Sequence, residues 1–342
     1  MIDEEYQKLI MKNIDPSYME TVSLNDLYEN VYTKKPPIID GLLYPGTYLF
    51  VGAPKVGKSF FVAQLAYHIS TGTPLWDYPV RQGTVLYMAL EDDYSRLQER
   101  LYRMFGTDGT DRLFFSVEAN SLGGGLADQL SGFLEKHRDT TLVIIDTLQT
   151  VREADINSYS YSSDYEVISK LKKKAEAYGI CLLLVHHTRK QQSSDKFDMI
   201  SGTNGLLGAA DGAFILHKET RTSHSAILEI SGRDQQDQRL YLTRNTEKLS
   251  WDLERAESEL WKKPPEPLLE KIAEIITENN PDWSGTATEL LEMLGMDIAV
   301  NVITKQLNVT APRLLNEYGI SYQYCRDHNG RRIAFHFQNK PP

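Results

Sequence analysis

The sequence is short of cysteine, of long hydrophobic runs and of positive charge, and each shortage narrows what the chain can be. Cys181 and Cys325 are the two cysteines in 342 residues. They stand far apart and outside any CxxC pair, which excludes a disulfide framework and a cysteine zinc site and leads us to expect a reducing, cytoplasmic setting. The longest apolar runs, such as GICLLLV, fall far short of the roughly 20 residues that a membrane-spanning helix needs. The opening residues, MIDEEYQKLIMKNIDP, are acidic and lack the apolar core of a secretory leader. No membrane partner is expected. Lys and Arg number 37 against 47 Asp and Glu, a net charge of −10. That excludes a uniformly basic, nucleic-acid-coating surface, so any such contact must come from a local groove. No internal repeat of solenoid period is present.

The rest of the composition, 41% apolar and 25% charged, is that of a globular protein, and the length suggests about two domains. Residues 1–37 form an N-terminal arm with weak helical character (SLNDLYENVY) that ends at Pro36-Pro37. From Ile38 onward, short apolar runs alternate with stretches of helical period. TYLFVGA, TVLYMAL, LFFSV, TLVIIDT, CLLLVHH, GAFILH, SAILEIS and LYLTR read as strands. Continuous apolar strands separated by helices predict an α/β fold with a mostly parallel sheet covered on both faces. The last strands follow one another closely and are expected to be antiparallel. This domain is placed at residues 38–262, ending at the KKPPEP linker. Residues 263–342 then give helices (PLLEKIAEIITE, TELLEML, and Ala299 to Tyr318) and two strands, ISYQYC and RIAFHF, around an Asn-Gly turn. That is the pattern of a small winged-helix domain.

Gly52 to Ser59 reads GAPKVGKS and satisfies GxxxxGK[ST], after the strand YLFV and at the start of a helix. Gly52, Ala53, Pro54, Lys55, Val56 and Gly57 would curl the backbone so that its N–H groups face phosphate oxygens, with Phe60 next along the helix. The helix N-terminus adds partial positive charge. Lys58 reaches the β- and γ-phosphates, and the Ser59 hydroxyl is a Mg²⁺ ligand. ATP and Mg²⁺ are therefore the expected cofactors.

Asp146 ends LVIID, where a carboxylate beside a phosphate loop holds the Mg²⁺ shell. Glu91 follows TVLYMAL at the edge where ligands sit in open α/β sheets. There it can orient and deprotonate a water, or it is a surface acid in a cluster with Asp92 and Asp93. His186 and His187 end CLLLV. Strand alternation lets at most one of them face the nucleotide, and a metal site made of both is excluded.

These motifs, in this order, resemble the RecA-like hexameric ATPases of the RepA plasmid-helicase type, in the version found in phage and mobile-element replication modules. IIDGLLYPGTYLFVGAPKVGKS, VLYMALEDDYSRLQERL, LVIIDTLQTV and LLLVHHTRK carry the resemblance, which covers about Ile38 to Asp252. It implies Walker A residues at Lys58 and Ser59, a catalytic base at Glu91, a Walker B carboxylate at Asp146, and a γ-phosphate sensor at His187 or His186. It also implies a homo-oligomeric ring, such as a hexamer, in which a basic residue acts across the subunit interface. Arg233 in ILEISGRD sits where such a residue would be, with Arg239 and Arg244 as alternatives. The C-terminal piece departs from the minimal plasmid helicase and is similar to the winged-helix tail of phage-type replication ATPases.

In such rings the loops after the Walker B and sensor strands line the central hole. The first, READINSYSYSSD, offers Tyr159 and Tyr161 for base stacking. The second carries Arg189, Lys190 and Lys196, which would neutralise phosphates. Lys170, Lys172, Lys173 and Lys174, on a helix whose apolar face is Val167, Ile168, Leu171 and Ala175, are read as a solvated face. From Glu266 on, seven Lys and Arg face ten Asp and Glu. Arg313 on the last helix and Arg326, Arg331 and Arg332 around the turn form the one basic edge of this piece. The winged helix is thus left open as a DNA-binding or a protein-docking module, with a replication-initiator protein as one partner.

The leading expectation is an ATP-driven helicase motor on single-stranded DNA. The rival is a RecA-like ATPase that does not unwind and instead switches a protein or DNA partner. A small-molecule kinase is disfavoured by the strand-end Glu and His.

Overall fold

The computed structural model describes residues 17, 19, 21–32, 35–152, 161–188, 204–218, 220, 222–233, 235–258, 266–327 and 330–338. The chain divides into two compact units, residues 35–262 and residues 1–34 together with 263–342.

The larger unit is built on strands β1 (Gly46–Gly52), β2 (Thr84–Ala89), β3 (Leu113–Ser116), β4 (Thr140–Asp146), β5 (Cys181–His187), β6 (Gly212–His217), β7 (Ser225–Gly232), β8 (Gln235–Arg244) and β9 (Trp251–Ser258). They form one nine-stranded sheet in the order β3-β2-β4-β5-β1-β6-β7-β8-β9. Strands β3 to β6 in that order pair in parallel, and β6, β7, β8 and β9 pair antiparallel.

Strand alternation sorts the central side chains onto two faces. Tyr48, Phe50, Tyr87, Leu142, Ile144, Leu183 and Val185 pack with Phe61, Leu65 and Ile69 of α2 (Lys58–Thr71). The intervening residues Leu49, Val51, Met88, Val143, Ile145, Leu182 and Leu184 pack on the other face. There they meet Leu130 of α4 (Leu126–Lys136), Ile168 and Leu171 of α6 (Tyr161–Tyr178) and Leu206 of α7 (Asn204–Ala209). Helix α3 (Tyr94–Phe105) adds Leu97 and Met104 to the α2 face, and α5 (Leu148–Val151) is a single turn after β4. Both faces are covered, so the strands read as continuous apolar runs.

The ninth strand was missed in the sequence because its outer positions, from Asp252 to Ser258, are largely solvent-facing and carry charge. Its first residue is the exception. Trp251 is fully buried and is clamped to α2 by two hydrogen bonds. Gln64 Nε2 donates to the Trp251 carbonyl at 2.9 Å, and the Trp251 N–H donates to Gln64 Oε1 at 2.8 Å. Trp76 Nε1 donates to the same carbonyl at 2.8 Å.

The smaller unit contains α1 (Leu24–Glu29), α8 (Pro267–Ile275), β10 (Asp282–Gly285), α9 (Ala287–Leu294), α10 (Val300–Tyr318), β11 (Ile320–Asp327) and β12 (Gly330–Phe337). Its antiparallel sheet runs β10-β12-β11 around a core of Leu268, Leu269, Ile272, Leu290, Ile303, Leu307, Leu314 and Phe335. Strand β10 has four residues, DWSG, too few to show a period of two. The N-terminal stretch, expected as an arm by itself, packs here. Lys305 Nζ donates to Asn25 Oδ1 at 3.0 Å, and Asn308 Nδ2 donates to the Tyr28 carbonyl at 3.0 Å. Among the described residues, no helix is long and apolar enough to cross a membrane.

Replacing Gln64 with Ala leaves the buried Trp251 N–H without its acceptor. The expected cost is about 1–3 kcal/mol, read as a lower denaturant midpoint for the larger unit.

Candidate active site

The carboxyl ends of the parallel strands converge on one edge of the sheet, and the loop between β1 and α2 lies at its centre. Lys55 (φ 64°) and Gly57 (φ 112°) both adopt left-handed backbone there. Gly57 is required on two counts. Beyond its φ, a Cβ would come 2.7 Å from the Trp251 ring and 2.8 Å from Arg244 Nη1. Gly52 is as tight, since its Cβ would meet the Leu216 carbonyl oxygen at 2.5 Å.

Lys58 is buried, and its ammonium donates to the carbonyls of Gly52 (2.8 Å) and Ala53 (3.2 Å). Burial pulls its pKa down to about 8, against the raising fields of Asp146 and Glu91. A third contact, at 3.2 Å, goes to His187 Nδ1. Burial and then the Lys58 charge lower the His187 pKa, so its ring is neutral near pH 7. An ammonium can only donate, so Nδ1 accepts and the ring proton sits on Nε2. His186, one residue earlier, is buried, and strand alternation puts it on the opposite face. Of the two histidines, His187 is the one at the phosphate loop.

Asp146 shares the α2 face. It accepts a hydrogen bond from the Tyr87 hydroxyl at 2.9 Å and another from Ser59. Burial raises its pKa, opposed by these two bonds and by Lys58. Tyr87 is fully buried in β2, and a buried phenol needs a partner. A lone tyrosine in the aliphatic run TVLYMAL is the sequence signal for this contact.

Glu91 lies two residues past β2, exposed, and accepts from Thr147 Oγ1 at 2.9 Å. Its acidic neighbours have other work. Asp93 caps α3 by accepting from the Arg96 N–H at 2.9 Å, and Asp92 pairs with Arg100 at 2.6 Å. Glu91 is left facing Lys58, Asp146 and His187, whose proton affinities it raises.

Ser59 and Asp146 supply two oxygen atoms of the kind Mg²⁺ takes. Among the described residues, no cluster of three or more His, Cys, Asp or Glu could hold a metal. The pair therefore fits a Mg²⁺ that draws its other ligands from substrate phosphates and water.

With this geometry in view, the comparisons with known proteins decide the family. Residues 15–193 match the family described as an AAA domain, a span that includes the phosphate loop, Glu91, Asp146 and His187. The chain belongs to the AAA domain family. It is a P-loop ATPase with a RecA-like fold. Among solved structures, the ATPase domain of the protein G-40-P superposes with a TM-score of 0.52 at 14% identity, covering 72% of this chain and 97% of that one. The KaiC-like protein PH0186 from Pyrococcus horikoshii OT3 gives a TM-score of 0.46 at 13% identity, covering 66% and 99%. No curated protein matches by sequence.

The remaining expected residues are scattered. Arg233 follows β7 at the sheet edge opposite its own phosphate loop, and its Nη2 donates to the Gly208 carbonyl at 3.1 Å. Arg239 is paired with Glu229 at 2.9 Å. Arg244, at the end of β8, packs on the phosphate loop of its own chain. Arg189, Lys190, Lys196 and Tyr159 lie outside the described residues, as do the side chains of Tyr161, Arg326 and Arg331. Arg332 is exposed on β12. Of the lysine run, expected as a solvated face, Lys170 pairs with Glu166 in solvent. Lys172 is instead partly buried in an ion pair with Asp211, and Lys174 Nζ donates to Ser131 Oγ at 2.6 Å in a part-buried setting, because α6 packs against neighbouring elements there.

The depressed pKa of Lys58 has a signed consequence. Between about 8 and the unfolded value near 10.4, the unfolded chain holds this proton more tightly, so stability rises with pH. Lys58→Met is expected to stabilise the nucleotide-free protein at pH 7. That gain should shrink as the pH rises from about 8 through the unfolded value, as read by denaturant titration at each pH. Gly57→Ala is expected to weaken ADP binding at least tenfold, measured by calorimetry, because its methyl group displaces the Trp251 and Arg244 side chains.

Proposed function

We propose that this AAA ATPase is an ATP-hydrolysing motor of the RepA-like replicative helicase type. In this reading it works on single-stranded DNA as a ring of identical subunits, in the replication of a phage or mobile element. The observation that carries the proposal is the division of labour between two carboxylates at one sheet edge. Asp146 is buried and bonded to Ser59, while Glu91 is exposed beside Lys58 and His187. A small-molecule kinase has no need of the second acid.

Each residue then has one task. The backbone of Gly52 to Gly57 and the ammonium of Lys58 hold the phosphates. Ser59 and Asp146 would hold Mg²⁺, which would supply neutralisation of charge on the phosphate oxygens. Glu91 orients the attacking water and takes its proton. His187 feels the γ-phosphate through its contact with Lys58 and passes the state to the loop after β5. Arg233 reaches the nucleotide of the neighbouring subunit. Arg189, Lys190 and Lys196 grip the strand, and their charge makes binding salt-dependent.

The order of the C-terminal unit, helix–strand–helix–helix–strand–strand, supports reading it as a winged helix. Arg331 and Arg332 would be its nucleic-acid edge. A second reading, a non-unwinding ATPase that acts on a protein such as a replication initiator, is favoured by one observation. Arg313, on α10, is already held by Glu317 in a two-pronged bond of 2.8 and 3.1 Å.

ATPase rate is the test, measured with and without single-stranded DNA across a salt series. The motor reading expects stimulation that fades with salt, and rates at least a hundredfold lower for Lys58→Ala and Glu91→Gln. A normal rate in Lys58→Ala would overturn the site. A wild-type rate indifferent to DNA would overturn the motor in favour of the second reading.

A further inference from the structure

The phosphate loop has two flanks, because β1 lies between β5 and β6. The β5 flank carries Asp146, His187 and Glu91. The other is formed by the ends of β6 and β8 and the start of β9, and it is cationic, with no counter-ion for Arg244 or Lys218 among the described residues. The Arg244 guanidinium lies 4.0 Å from the centre of the Phe60 ring and 5.3 Å from that of Trp251. It lies within cation–π distance of two aromatic rings, a setting that favours arginine over lysine. Its Nε is buried, with no hydrogen-bond partner among the described residues. Lys218, just past β6, has its ammonium 5.6 Å from the Trp251 ring and donates to the Ser223 carbonyl at 2.8 Å. Arg103 of α3 is a third cation nearby, and its N–H groups are taken by the carbonyls of Glu247 and Thr246, both at 2.9 Å. Burial and then Arg103 lower the Arg244 pKa, and burial and then Arg244 lower that of Lys218. No carboxylate pairs with Arg244 or Lys218 among the described residues, which hold these charges together against their mutual repulsion.

A nucleotide is a polar object with two ends. If its γ-phosphate faces the hydrolytic groups on the β5 flank, its α-phosphate and ribose face the other flank. We propose that Arg244, assisted by Lys218, holds the α-phosphate of the nucleotide bound to its own subunit. This rests on the phosphate-loop reading above, and it makes Arg244 a binding residue in cis, not a residue that completes the neighbour's site.

The experiment uses the full chain and ADP as the probe, with Arg244→Gln, Arg244→Lys and Lys218→Gln. Arg244→Gln is expected to raise the Kd for ADP and the KM for ATP at least tenfold, a larger factor than any fall in kcat. Lys218→Gln should give a smaller change of the same kind, and Arg244→Lys should recover part of the affinity. Equal mixtures of Arg244→Gln and Glu91→Gln subunits should show no recovered ATPase at low ATP, because no subunit then has both groups. Recovery on mixing, with ADP affinity intact in Arg244→Gln, would place the residue across the interface and overturn the proposal. Wild-type ADP affinity in both Arg244→Gln and Lys218→Gln would overturn it too. If the wild-type chain itself fails to bind ADP, the phosphate-loop reading falls first, and this proposal with it.

Discussion

The larger unit is organised around one buried ammonium. Lys58 sits in a cage of carbonyl oxygens, with two carboxylates and a neutral imidazole within its field. Burying a charge is costly unless it is paired and hydrogen-bonded. The surroundings only partly meet that cost, which is why the proton is held so loosely. An arriving phosphate would supply the missing counter-charge. The glycines at 52 and 57 and the left-handed turn at Lys55 exist to bring the backbone carbonyls of this cage and the amides of the loop into place.

Much of this was legible in the sequence. The phosphate loop, the strand-end carboxylate and the antiparallel closing strands all follow from short apolar runs and the residues that end them. The choice between His186 and His187 was legible in principle. Cys181, Leu183 and Val185 alternate with Leu182 and Leu184, and the parity that puts Tyr87 and Asp146 beside α2 puts His187 there too. What stayed hidden depended on pairs far apart in the chain. Trp251 opens a strand whose later residues, Leu253 apart, face solvent, too few buried positions to announce a period. Thr147 acts only because β2 and β4 are neighbours. The packing of Asn25 and Tyr28 against Lys305 and Asn308 joins residues 280 apart in sequence, and no local pattern encodes it.

The sheet itself changes character at β6, which pairs in parallel with β1 and antiparallel with β7. On one side the strands are parallel, and Asp146, Glu91 and His187 lie at or just past their ends. On the other the chain turns back on itself in antiparallel strands, and the ends carry arginine, lysine and tryptophan. The helix that bears Lys58 and Ser59 is tied to this second side by Gln64, whose amide spans both backbone groups of Trp251. A displacement of the outer hairpin would therefore be felt at the loop as a movement of α2.

The missing side chain of Gly57 has a consequence for how such a protein can change over time. The volume that a methyl group would need is filled by Trp251, 194 positions later, and by Arg244. These three positions share one space, so they form a single heritable unit despite their separation. A larger residue at 57 is tolerable only in a lineage that has already shortened 251 or withdrawn 244, and the reverse order leaves a void beneath the loop. Relatives should therefore fall into discrete combinations at these positions, with few intermediates between them.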